Sequence, residues 1–309
     1  MFLGALALAA AAQAASGKFV KTTLVDDSQN PMEVDVAEDG RVFYIERFGD
    51  LRVWDPGTEQ VSTIGHINVY TGQENGLLGL ALAPDFSESN ELYLAYSVPP
   101  QNTLTQRVSR FTLTPQGQLN ISSEEVIYEW THQRQQCCHS AGALEFGPDG
   151  SLYISTGDNT NPHASGGYTP IDERPGREAW DAQRTSANTA NPNGKILRIV
   201  PNPDGPGHTI PDGNLFVDDD PKTLPEIYAM GFRNPFRFKV DPETGWIEMG
   251  DYGPDANAAD PARGPQGSVE FNLITEPGNF GWPYCIRENV PYIDFQFPDG
   301  PSGLPFNCA

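Results

Sequence analysis

The segment HSAGALEFGPDGSLYISTGDN, His139 to Asn159, carries an imidazole near one end and a carboxylate near the other. Between them, Gly147-Pro148-Asp149-Gly150 is a two-residue turn signal flanked by the short apolar runs Ala143 to Phe146 and Leu152 to Ser155. A hairpin centred on Pro148-Asp149 sets His139 opposite Asp158 at its open end. A carboxylate on one ring nitrogen fixes the imidazole tautomer and leaves the other nitrogen free to take a proton, which is what a general base requires. A surface His beside a surface Asp at a hairpin end would show the same pattern.

Such a pair needs a rigid scaffold, and the chain supplies strands for one. Met32 to Ala37 alternates with period two, Asp39-Gly40 turns it into Arg41 to Arg47, and Leu51 to Asp55 follows. The unit recurs at Gly79 to Phe86 with Glu91 to Tyr96 and Val108 to Leu113. It recurs again at Ala143 to Gly150 with Leu152 to Thr156 and Lys195 to Ile199, and at Phe236 to Pro242 with Gly245 to Gly250 and Ser268 to Ile274. Four copies of one small antiparallel sheet, spaced by about fifty residues or more, predict an all-β chain of propeller blades, with a β-sandwich as the competing architecture. Two long loops interrupt the pattern, Asn159 to Asn193 and Asp251 to Gly267, and loops of this length inside a compact domain tend to be functional.

Composition narrows the class. The chain has 309 residues, 31 Gly and 28 Pro, so turns are frequent and helix is scarce. A formal charge of −22 argues against nucleic acid and anionic membrane surfaces as partners. Residues 1–16 read as a secretory signal peptide, although no Lys or Arg precedes the apolar run, and no stretch reads as a membrane span. The expected location is therefore secreted, periplasmic or extracellular. Residues 17–309 read as one propeller domain, incomplete at the C-terminus because the last segment resembles an entry into further chain. Four cysteines in an exported chain suggest disulfides: Cys285 and Cys308 can close a loop, whereas the adjacent Cys137 and Cys138 can each reach elsewhere or bridge to one another. No Cys-x-x-Cys spacing supports a metal site. Asp218 to Asp220 reads as a solvated loop, and His66, His132, His163 and His208 lack a supporting motif.

Taken together, Glu74-Asn-Gly-Leu-Leu-Gly-Leu-Ala-Leu-Ala-Pro-Asp-Phe, His139-Ser-Ala-Gly-Ala-Leu-Glu-Phe-Gly-Pro-Asp-Gly, Ser155-Thr-Gly-Asp158, Asn193-Gly-Lys-Ile-Leu-Arg-Ile, Gly231-Phe-Arg-Asn-Pro and Asn279-Phe-Gly-Trp-Pro resemble the soluble pyrroloquinoline-quinone (PQQ)-dependent glucose/sorbosone dehydrogenases. The resemblance runs in the family's order from about residue 30 to 285. It implies a six-bladed propeller, about four blades of it in this chain, with the site at the channel mouth. It further implies a dehydrogenase that oxidises an aldose or related sugar and passes electrons to an external acceptor. By the same resemblance His139 is the general base and Asp158 holds its ring. Arg233 faces the reactive quinone carbonyl, Asn234 contacts the cofactor, and the carbonyls of Gly253 and Pro254 hold a Ca²⁺ that polarises the quinone.

The sequence also departs from the family. Glu74 stands where the family often has a Gln in contact with PQQ, and a carboxylate suits a tricarboxylate cofactor only beside a cation. The Lys and Arg of the family's last blades that bind those carboxylates lie beyond this chain. The Asn159 to Gly194 region is far longer than in the glucose enzymes, which marks a sub-branch of the family. Two other functions remain open on the residues: a secreted propeller that binds glycan or protein without redox chemistry, and a calcium-dependent lactonase-type hydrolase, for which no converging carboxylate set is evident.

Overall fold

The computed structural model describes residues 20–217 and 220–308. The signal-peptide segment, Asp218 and Asp219 lie outside the described residues.

Four antiparallel sheets follow one another along the chain. The first is β1 (Pro31–Val36), β2 (Val42–Glu46), β3 (Asp50–Asp55) and β4 (Gln60–His66). The second is β5 (Leu77–Leu82), β6 (Glu91–Ser97), β7 (Thr105–Thr112) and β8 (Glu125–Thr131). In the third, β9 (Ala141–Phe146), β10 (Leu152–Thr156) and β11 (Lys195–Pro201) continue into β13 (Ile227–Met230). The short β12 (His208–Thr209) sits off β11, and β17 (Gly278–Asn279) is added in parallel beyond β13. The fourth sheet is β14 (Arg237–Val240), β15 (Ile247–Asp251) and β16 (Glu270–Ile274). The chain then makes two small ribbons, β18 (Cys285–Ile286) with β19 (Val290–Pro291) and β20 (Ile293–Phe295) with β21 (Ser302–Pro305). The one α-helix among the described residues is the single turn α1 (Phe86–Ser89).

These sheets are the four blades expected from the repeats, and a sandwich is excluded because successive sheets pack as separate blades around their first strands. The repeat pattern showed three strands per blade; β4, β8 and β13 add a fourth on the outside of the first three blades. The innermost strands β1, β5, β9 and β14 are neighbours in turn. Inner strands are covered on both faces, and so β5, Leu-Leu-Gly-Leu-Ala-Leu, is buried along its whole length instead of alternating. Gly79 in β5 lets the next blade close in: a Cβ there would stand 2.0 Å from the carbonyl oxygen of Gly142.

The core lies between blades. Phe43, Ile45 and Leu51 of blade 1 meet Leu80, Leu92 and Leu94 of blade 2. Tyr93 and Val108 meet Leu144, Ile154 and Leu197, and Tyr153 and Ile196 meet Phe238 and Met249. Each such side chain contributes about 1.5–3 kcal/mol by leaving water, which holds adjacent blades in fixed relation. Among the described residues no helix is long and apolar enough to cross a membrane.

Candidate active site

The β9–β10 hairpin carries the predicted pair, and its geometry corrects the expected turn. Gly147 to Gly150 closes with Gly150 N–H donating to Gly147 O at 3.0 Å, Gly147 N–H donating to Ser151 O at 2.9 Å, and Gly150 at φ 78°. This is a three-residue loop ending in a left-handed glycine, not a two-residue turn. Beside it Leu152 pairs with Phe146 and Ile154 with Leu144, one residue away from the expected register. A bulge between Ile154 and Thr156 then brings Thr156 opposite Ala141, which restores that register at the open end. The irregularity aims the strand ends. Beyond it, His139 and Asp158 meet.

His139 Nδ1 lies 2.7 Å from Asp158 Oδ1. The same oxygen accepts from Thr160 N at 2.9 Å, and Oδ2 accepts from Trp282 Nε1 at 2.8 Å. Asp158 is wholly buried and His139 nearly so. With a donor on each oxygen the carboxylate cannot turn, so it holds Nδ1–H and directs the lone pair to His139 Nε2, which makes no hydrogen bond among the described residues. Gly157 is needed beneath: a Cβ there would stand 2.1 Å from His139 O.

Three loops that precede inner strands converge here. Glu74, three residues before β5, accepts from His139 N at 2.5 Å and from Ser140 N at 3.2 Å through Oε2. His139 and Ala141 have φ 62° and 45°, so this carboxylate holds a backbone turn that side chains disfavour. Arg233 and Asn234 precede β14. Arg233 O accepts from Asp158 N at 2.8 Å, joining blade 4 to blade 3. Asp251, at the end of β15, accepts from Arg233 N at 2.9 Å and Asn234 N at 2.7 Å, and burial pushes its carboxyl up to about 7. Arg233 Nη1 donates to Tyr252 O at 3.0 Å. Gly253 and Pro254 lie just beyond, and with Arg233, Asp251 and Glu270 they line a small cavity of about 10 Å³. Neither the Gly253 nor the Pro254 carbonyl accepts a hydrogen bond among the described residues.

A buried donor, Arg233 Nε, and a buried acceptor, Asn234 Oδ1, have no partner among the described residues. Unpaired buried polar atoms are costly: the guanidinium donor suits an anionic, carbonyl-bearing cofactor such as PQQ, and the amide oxygen suits an N–H or O–H of the same ligand. Two free carbonyl oxygens beside the Asp251 and Glu270 carboxylates are hard oxygen donors of the kind Ca²⁺ takes. The residues present therefore fit both groups.

Several contributors were not singled out from the sequence. Trp282 lay inside the quoted Asn279-Phe-Gly-Trp-Pro motif, but its indole reaches Asp158 only through the fold. His132 is buried behind the dyad: its Nε2 stands 3.1 Å from both Asn159 Nδ2 and Ser140 Oγ, and burial pushes its pKa down to about 3. The amide nitrogen can only donate, so Nε2 accepts and the proton sits on Nδ1. Lys195, in the quoted Asn-Gly-Lys motif, donates from Nζ to Thr185 O, Ser186 O and Asn193 O at 2.9, 2.8 and 2.8 Å, which ties the C-terminal part of the 157–194 insertion to β11. His66 pairs with Asp50, His208 lies against Glu226, and His163 is exposed beside Cys137 and Cys138. The disulfides are Cys285–Cys308 and the vicinal Cys137–Cys138.

This is a site built on the loops that precede the inner strands of a β-propeller, with a buried His–Asp dyad from one blade and a fixed cation from the next. The chain belongs to the glucose/sorbosone dehydrogenase family, whose model matches residues 28–302. It is 30% identical over 269 residues to an uncharacterized protein of Synechocystis, covering 84% of this chain and 58% of that one. To quinoprotein glucose dehydrogenase B of Acinetobacter calcoaceticus it is 25% identical over 280 residues, covering 88% of this chain and 54% of the other. The chain thus spans little more than half the length of these relatives. Among solved structures it superposes on an oxidoreductase of Thermus thermophilus described as a glucose dehydrogenase, with TM-score 0.64, 28% identity, and coverage of 89% and 70% of the two chains.

Proposed function

We propose that the chain forms the base-bearing part of a PQQ-dependent, Ca²⁺-assisted sugar dehydrogenase that acts outside the cytoplasm on the CH–OH group of an aldose and delivers its electrons to an external acceptor. The observation that carries this reading is the dyad of His139 and Asp158, linked by one backbone hydrogen bond to an arginine whose Nε is buried without a partner. The Gly253 and Pro254 carbonyls would hold Ca²⁺ and Arg233 and Asn234 would hold PQQ, and the quinone when bound would supply the two-electron acceptor that oxidation of the sugar's anomeric carbon requires. His139 Nε2 takes the proton of the anomeric hydroxyl, and Asp158 stabilises the imidazolium that results. Arg233 places fixed positive charge where negative charge would build. Asn234 offers its amide to the cofactor. Glu74 acts on the reaction by holding the His139 backbone; only its other oxygen is left to face a cofactor. Trp282 keeps the Asp158 carboxylate from rotating.

The test is titration of PQQ into the protein with and without Ca²⁺, followed by addition of an aldose, for the wild type and His139→Asn. The reading expects calcium-dependent quinone absorbance that bleaches with sugar in the wild type, and bleaching slowed by about 10²-fold or more in the variant with quinone binding kept. Equal bleaching in both would remove His139 as the base. No quinone binding by folded protein would favour a propeller that binds glycan or protein without redox chemistry.

A further inference from the structure

The 157–194 insertion does more than flank the dyad. It walls a cleft of about 700 Å³ on the same rim, closed on the other side by the segment leaving β8. Clefts of roughly 300–1,000 Å³ take drug-sized ligands, and a chain of two or three pyranose rings is of that size.

The wall is built, not draped. Ile171 bridges to Asp181, Asn161 N donates to Ala179 O at 2.7 Å, Ser186 Oγ donates to Phe232 O at 2.8 Å, and Lys195 clasps three carbonyls of the loop. Within it Trp180 is held flat. The Arg177 guanidinium stacks 3.6 Å from its ring, and Arg177 Nε is fixed by Asp172 Oδ2 at 2.9 Å.

Four of the polar side chains lining the cleft keep unspent groups, while Gln133, Asn159, Asn188 and Asn193 are engaged in holding its walls. Among the described residues the Arg184 guanidinium, the Gln135 carboxamide and Asn191 Nδ2 make no hydrogen bond, and Glu178 uses one oxygen only, for Gly176 N. Donors and acceptors are mixed, and the one cation is matched by one carboxylate. That set rejects an anion and suits a neutral polyol, whose hydroxyls both give and take hydrogen bonds. An indole adds a rigid apolar edge for the C–H face of a sugar ring. Asn159, the residue after Asp158, lines the cleft, and the Oδ1 of Asn159 accepts from Gln133 N at 2.6 Å.

We propose that this cleft is a saccharide subsite that holds the second and third residues of a neutral oligosaccharide whose reducing end lies at His139. The placement of the reducing end rests on the dehydrogenase reading; the cleft's affinity for saccharide does not. The experiment is therefore run in two stages on the wild type, Trp180→Ala and Arg184→Ala. The first stage is calorimetric titration of the protein without quinone, using maltotriose, cellotriose and glucose. Either trisaccharide should bind the wild type at least about 10-fold tighter than glucose, and each substitution should weaken it about 10-fold or more. Arg184 makes no hydrogen bond through its guanidinium, so its variant keeps the fold and the test stays decisive. The second stage measures dye reduction with PQQ and Ca²⁺, where KM for the trisaccharide should rise about 10-fold in the variants while kcat and the KM for glucose stay unchanged. Trisaccharide binding without any dehydrogenase activity upholds the subsite and removes the redox reading. No trisaccharide binding by the wild type, or equal losses for glucose and trisaccharide, overturns the subsite.

Discussion

Replacing Asp158 by Asn keeps the volume and removes one acceptor, and the structure says what that costs. The carboxylate serves three donors: His139 Nδ1 and Thr160 N on Oδ1, and Trp282 Nε1 on Oδ2. An amide has one oxygen. If it faces His139, its NH₂ meets the indole N–H, and a buried donor is orphaned at about 1–3 kcal/mol. If it faces Trp282, its NH₂ donates to His139 Nδ1 and abuts Thr160 N–H. The imidazole proton then moves to Nε2, where the substrate's proton must go. Either way the imidazolium loses its counter-charge. The expected loss is about 10²- to 10⁴-fold in kcat, about 2.7–5.4 kcal/mol of barrier, the span of general base catalysis. Folding stability should fall by about 1–3 kcal/mol, a drop of several degrees in melting temperature. Dye reduction and single-turnover bleaching by the quinone-loaded protein measure the first, and a thermal melt the second. A folded Asp158→Asn variant with wild-type turnover would show that Asp158 does not set the His139 tautomer, and the proposed mechanism would fall with it.

Glu74→Gln can still accept from His139 N and Ser140 N, so it should keep the fold and lose less than about 10-fold in kcat. Glu74→Ala strands both N–H groups and should cost about 1–3 kcal/mol together with a larger fall in kcat, read by denaturant unfolding and turnover. Gly157→Ala drives a methyl toward His139 O and should destabilise by about 1–3 kcal/mol or more while displacing the base, so stability in chemical denaturation and kcat should fall together. His132 is held neutral, with its pKa down from 6.5 to about 3. Between those values the unfolded chain binds a proton that the native state does not, so stability is full above about pH 6.5 and is lost as pH falls toward about 3. His132→Gln, which keeps an acceptor for Asn159, should flatten that acid limb by up to about 1.4 kcal/mol per pH unit, and an unchanged slope would refute the assignment.

The blades were legible because their inner and middle strands repeat with turns at Asp-Gly and Pro-Asp. The outer strands were not: β4, β8 and β13 carry weak alternation and are ordered by pairing with a neighbour already in place. The meeting of His139 and Asp158 was anticipated through a symmetric hairpin, yet the register was reached only through a bulge that residue types do not announce. Glu74 was conspicuous as a departure from a motif, but nothing local shows that its partner is a backbone segment 65 residues away. Trp282 and Asp251 act over separations of 124 and 18 residues, where one sequence without its fold carries no signal. Lys195 looked like part of a strand pattern. Its buried ammonium and three carbonyl partners exist only once the insertion has folded back.

The bond from Asp158 N to Arg233 O crosses the seam between blades 3 and 4. On the proposed mechanism proton removal and charge stabilisation belong to different sheets, and their alignment is a question of mechanical tolerance. A twist of one blade against the next that leaves both sheets intact would still pull the base and the guanidinium out of true. On that mechanism the angle between the two blades is itself a kinetic variable. Substitutions deep between blades 3 and 4, at Tyr153 or Phe238 for instance, can act on turnover from a distance without touching anything that reacts.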